Sequence, residues 1–137
     1  MLEQKTGARA SWWIRIVVIV GALLMGTGAV LSLVDPAMLV GRESQMNGAA
    51  QVFAGYFAAR NLAMAGLLLV LAIMQAGRAL GHVLALVGLI QLFDCALDCL
   101  EGRWTIAPGV LVLGVLFLLA ASKLCGGPFW RRQAWLS

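Results

Sequence analysis

Charge is scarce in this sequence. Asp, Glu, Lys and Arg make up 12% of its 137 residues, against about 25% in an ordinary soluble domain. Proline occurs three times, and there is one histidine and one tyrosine. So little charge argues against a soluble globular domain, a disordered polar tail and a nucleic-acid-binding module. Ser-His-Asp sets, a P-loop and a dinucleotide-binding glycine motif are absent too; Gly26-Thr27-Gly28 lies inside an apolar run and cannot cradle phosphate. In place of charge there are apolar residues, 62% of the chain, with a mean hydropathy of +0.94. Sixteen glycines fit membrane helices, which tolerate them.

The apolar residues fall into four blocks, at about 12–34, 52–74, 80–100 and 105–124. Each has the length of about 20 residues that a membrane-spanning helix needs. Asp35-Pro36 closes the first, and Gly126-Gly127-Pro128 closes the fourth. None alternates polar and apolar residues as a barrel strand would. The expected fold is therefore all-α, a single-domain integral membrane four-helix bundle. The first block has a basic lead, but its apolar run from Ile16 to Val34 exceeds the core of a signal peptide, so it reads as a retained helix. The polar gap from Asp35 to Gln51 contains Ala37-Met38-Leu39-Val40 and reads as a short interfacial segment.

Basic residues set the orientation. Lys5, Arg9, Arg15, Arg78, Lys123, Arg131 and Arg132 fall on one side, and Arg42 and Arg103 on the other. The richer side is expected to be cytoplasmic, with both termini inside a cell inner membrane. Trp12, Trp13, Trp104, Trp130 and Trp135 fall at the interfaces. The net charge of +4 then reflects positive-inside bias and anionic headgroups, not a nucleic-acid partner.

Small residues recur at helical spacing: Gly21, Ala22, Gly26 and Gly28 in the first span, Gly55, Ala59, Ala63 and Gly66 in the second, Gly77, Gly81, Ala85 and Gly88 in the third. Such stripes let membrane helices approach closely. Packing within the chain is the expectation for all three, a homodimer surface the alternative.

Arg60 is the most informative residue, since an arginine in the membrane costs about 2.5–3.5 kcal/mol on insertion scales. The third span carries Gln91, Asp94, Asp98 and Glu101 at spacings that share one face. Helix rise places Arg60, Asp94 and Gln91 at similar depth. Arg60–Asp94 is the expected ion pair, with Asn61 and Gln91 completing its donors and acceptors. One reading is a structural salt bridge that fixes helix register. The other is a polar-floored pocket in the outer leaflet. There Arg60, Asn61, Gln91 and Tyr56 would bind a ligand, and Asp94 or Asp98 would supply or accept a proton.

The run Asp94-Cys95-Ala96-Leu97-Asp98-Cys99 suggests a metal site at first sight. Adjacent residues on a helix diverge by about 100°, and zinc sites favour separated ligand pairs. No metal or other cofactor is expected, and the cysteines read as packing residues. His82 reads as interfacial.

The stretch Phe53-Ala54-Gly55-Tyr56-Phe57-Ala58-Ala59-Arg60-Asn61-Leu62-Ala63 resembles the second-helix signature of small DoxX-like four-helix membrane proteins. The first span ending in Asp35-Pro36 and the acid Asp94 in the third are also similar to that group, although Gly66 comes later than its pattern has it. The resemblance implies a four-helix bundle in a bacterial-type inner membrane. It also implies an association, in some relatives, with quinone-linked oxidoreductases or with sterols and isoprenoids. Three functions fit the sequence. The first is a module that binds or processes a small lipophilic molecule such as a quinone or isoprenoid. The others are a structural or accessory subunit of a membrane complex, and a small proton-coupled transporter. Between catalysis and binding the sequence does not choose.

Overall fold

The computed structural model describes residues 11–40 and 47–132. Within them the chain forms α1 (Trp12–Val34), α2 (Ala37–Val40), α3 (Gly48–Ile73), α4 (Gly77–Leu100) and α5 (Ala107–Leu124), with no strand among the described residues. The four long helices have the length and apolarity to cross a membrane, with mean hydropathies from 1.8 to 2.4. The all-α membrane bundle expected from the sequence is the fold.

Local chemistry explains where the helices begin and end. α3 starts earlier than the apolar run because Asn47 caps it: Asn47 Oδ1 accepts from the Ala50 amide at 2.9 Å, which satisfies one orphan donor of the first turn. Pro108 occupies the first turn of α5, where its missing N–H costs nothing. Three helices close in the same way. After α4, Gly102 takes a φ of 73°, and Arg103 N–H returns to Asp98 O at 2.7 Å. After α5, Gly126 takes a φ of 71°, and Gly127 N–H returns to Ser122 O at 3.0 Å. After α3 the left-handed position is held by Gln75, at a φ of 54°, and Ala76 N–H reaches Leu71 O at 3.1 Å. Each is a Schellman closure, in which one left-handed residue lets the chain satisfy the last carbonyls.

The long helices form two hairpins, α1 with α3 and α4 with α5, each packed intimately. The hairpins meet more sparsely, through α3–α4 and α1–α5. Glycine makes the α4–α5 contact close. A Cβ at Gly88 would lie 3.0 Å from Gly114 O and 2.9 Å from the Leu118 side chain, and one at Gly81 would lie 2.8 Å from Cys125 Sγ. On α1, a Cβ at Gly21 would lie 2.2 Å from Phe117 Cζ. The small stripes of α1 and α4 thus include positions of real close packing. The stripe of α3 does not. Ala59, Ala63 and Gly66 are exposed, Gly55 is partly so, and a Cβ at either glycine would meet nothing within 4 Å. This corrects the expectation that it packs within the chain: α3 turns Ala58, Asn61, Ala65 and Leu68 inward instead.

Burial is polarised along the bundle. Ile14, Val18, Leu68, Leu80, Leu84 and Phe117 form a dry core towards the end where α1 begins and α5 finishes. Towards the opposite end, where α2 lies, the buried residues include Ser32, Gln91 and Asp98, with Asn61 nearer mid-helix. The short α2 puts one helical turn in the polar gap from Asp35 to Gln51, of which 41–46 lie outside the described residues.

Candidate functional site

Arg60 lies twelve residues into α3 from Gly48, about 18 Å along the helix. Asp94 lies six residues before the end of α4 at Leu100. The fold brings them level. Arg60 Nη2 donates to Asp94 Oδ2 at 3.0 Å, across the sparse seam between the hairpins. The guanidinium also stands 5.5 Å from the centroid of the Phe57 ring, one turn earlier on α3, within cation–π range.

The pair is open on one side. The Arg60 side chain is 40% exposed and that of Asp94 27%. A guanidinium has five N–H donors, and one engages protein here. Tyr56 precedes Arg60 by four residues, which puts the two on one helix face. Tyr56 is 70% exposed, so it flanks the open side rather than closing it.

The two amides expected to complete the cluster do other things. Asn61 is buried, and its Nδ2 donates to Phe57 O at 3.1 Å on its own helix. Gln91 is buried against α5, with its Cβ 3.1 Å from where a Cβ on Gly114 would sit.

Asp98 belongs to a second cluster, which the sequence reading missed. Its side chain is 10% exposed, and Arg103 Nη1 lies 3.1 Å from its Oδ1. Arg103 also lies 3.6 Å from Glu101 Oε2, and its Nη2 donates to Leu39 O in α2. The closure at Gly102 folds the chain back so that the arginine reaches the acid it follows by five residues. The signal was present as Asp98-x-x-Glu101-Gly102-Arg103: an acid in the last helical turn, a glycine able to turn left-handed, then a base. Arg103 ties α2 down onto the α4–α5 turn.

The cysteines are free thiols. Cys95 is buried and donates to Ala107 O at 3.4 Å. Burial raises the Cys125 thiol above its usual value, while Arg78 pulls it the other way, so its reactive thiolate is not favoured.

The Arg60–Asp94 pair thus offers unused N–H donors, a carboxylate within one hydrogen bond of them, and an aromatic residue on either side of the helix turn, Phe57 and Tyr56. Such a set can hold a carbonyl, hydroxyl or phosphate oxygen and move a proton to or from it. Two hollows lie elsewhere: a small one near Ile14, Gln75 and Leu80, and an open groove along α5 near Leu119 and Trp130. No protein-family model, curated protein or solved structure matches the chain.

Proposed function

We propose that this chain is a multi-pass inner-membrane protein of the DoxX-like kind that binds or processes a small lipophilic molecule. The molecule would carry a polar oxygen head, as a quinone or an isoprenoid does, and would dock at Arg60. In this reading Tyr56 and Phe57 flank the apolar body of the ligand, Arg60 orients its oxygen, and Asp94 supplies or accepts a proton. Asp98, held by Arg103, closes the loop end, and both termini face the cytoplasm.

The observation that carries the reading is a single-contact ion pair left partly open at membrane depth. Lipid tails offer nothing to an arginine donor, and intramembrane charges otherwise face an interior or a water-filled path. An oxygen acceptor arriving between α3 and α4 satisfies what the protein leaves unmet. The test is thermal unfolding of the purified protein in detergent with an added quinone or long-chain isoprenol. At a ligand concentration one hundredfold above Kd, binding stabilises by about 2.7 kcal/mol. The expected result is a raised unfolding midpoint with one of these compounds and none in the Arg60→Leu/Asp94→Leu double variant. No shift with either compound, or a shift retained in the double variant, rejects the reading.

A second reading is favoured by the bare α3 stripe of Gly55, Ala59, Ala63 and Gly66. In it a neighbouring helix, from a second copy or a complex, covers the same opening. Cross-linking from Ala59→Cys in native membranes that yields a stoichiometric adduct supports this accessory-subunit role; labelling of monomer alone opposes it.

A further inference from the structure

The end of the bundle where α1 begins and α5 finishes has a groove that the ion pair does not involve. α5 stops at the Gly126–Gly127 closure, and the chain then doubles back. Arg131 N–H bonds to Pro128 O at 3.0 Å, Phe129 packs against the edge of the dry core, and Trp130 meets its ring edge-on at 5.1 Å between centroids. The returning segment becomes a wall facing the outer side of α5. Between them lies an open, apolar groove of about 600 Å³. Val115, Leu118 and Leu119 form its floor and Phe129 and Trp130 its wall; Ser122 and Lys123 border one end, where the lining is still apolar.

The charge around the Lys123 end is of one sign. Arg131 and Arg132 follow directly on the wall and are exposed. The described acids, Asp35, Asp94, Asp98 and Glu101, all lie in the other half of the bundle. Among the described residues neither Lys123, Arg131 nor Arg132 has an ion-pair partner.

We propose that this groove is a binding site for one anionic phospholipid of the adjoining leaflet. An acyl chain lies along Val115, Leu118 and Leu119, and the phosphate is held by Lys123 with Arg131 and Arg132. A soluble phosphate uses only the cations, and a neutral lipid uses only the apolar floor. An anionic phospholipid engages both parts at the depth where headgroups sit, beside an interfacial tryptophan.

The experiment is native mass spectrometry of the full chain released from detergent containing equal amounts of phosphatidylglycerol and phosphatidylcholine. The wild-type protein should retain phosphatidylglycerol in preference. Each charge near the headgroup is worth about a fivefold change in affinity. Lys123→Gln should therefore weaken the preference about fivefold, and the triple change Lys123→Gln/Arg131→Gln/Arg132→Gln should abolish it. Leu119→Trp, which fills the floor without altering charge, should weaken retention of phosphatidylglycerol as well. Arg15→Gln/Arg78→Gln removes charge at the same end but outside the groove and should change nothing. Equal retention of the two lipids overturns the proposal. So does a loss in Arg15→Gln/Arg78→Gln as large as that in the triple variant, which marks diffuse attraction to the leaflet. Displacement of the lipid by millimolar inorganic phosphate also overturns it, because the apolar floor would then play no part.

Discussion

An arginine held through a single N–H can let go more readily than one clamped in a bidentate fork. Arg60 and Asp94 meet in that looser way, and each needs the other, because either alone is a costly charge at this depth. Arg60→Leu or Asp94→Leu should each destabilise the bundle by about 3 kcal/mol. The double Leu variant should recover most of that, since neither charge is stranded. Chemical denaturation of the four proteins in a double-mutant cycle measures this, and strictly additive single effects would refute a direct interaction. The pair was legible in the sequence because arginine and aspartate are rare and expensive in lipid and helix rise put them level. Asn61 and Gln91 were not, because an amide finds a nearer partner as readily as a distant one: Asn61 bonds its own helix. Arg103 was read as a loop charge, since its reach to Asp98 depends on one backbone angle at Gly102.

Among the helices, the glycines divide into those that permit contact and those that merely occupy a surface. Gly21→Ala should destabilise by about 1–3 kcal/mol through overpacking, because Phe117, fully buried, has no room to move from the 2.2 Å approach. Gly55→Ala should be neutral or stabilising by up to about 1 kcal/mol, because nothing lies near it. Comparing the two melting midpoints in one detergent tests the assignment, and equal losses would contradict it. Length and apolarity made all four spans readable. The facing of α3 was not readable, because small residues at helical spacing look the same on a buried seam and a bare surface. The short α2 depends on a contact from far along the chain, the Arg103 bond to Leu39 O. Arg103→Ala should speed hydrogen exchange across Ala37–Val40 while leaving α5 unchanged. Unaltered exchange at α2 would show that the arginine does not hold it.

At the scale of the molecule, two hairpins meet along a thin seam crossed by the Arg60–Asp94 pair, while apolar packing fills one end of the bundle and the Arg103–Asp98 pair lies within the α4–α5 hairpin at the other. The proposed orientation, with both termini cytoplasmic, rests on the basic residues of the sequence. In a background carrying Cys95→Ala, Cys99→Ala and Cys125→Ala, an impermeant maleimide should label Thr105→Cys on intact cells. It should reach Arg132→Cys only after permeabilisation, and the opposite pattern would invert the topology. The hairpin arrangement also sets a timetable for biosynthesis. Arg60 precedes Asp94 by 34 residues, and a ribosome adds about 5–20 residues per second. The arginine is therefore made roughly 2–7 s before its counterion exists. During that interval α1 and α3 must carry it unaided, with the Phe57 ring on its own helix as the one partner already in place. Until α4 follows, that helix therefore carries an uncompensated charge, a cost that the complete bundle removes.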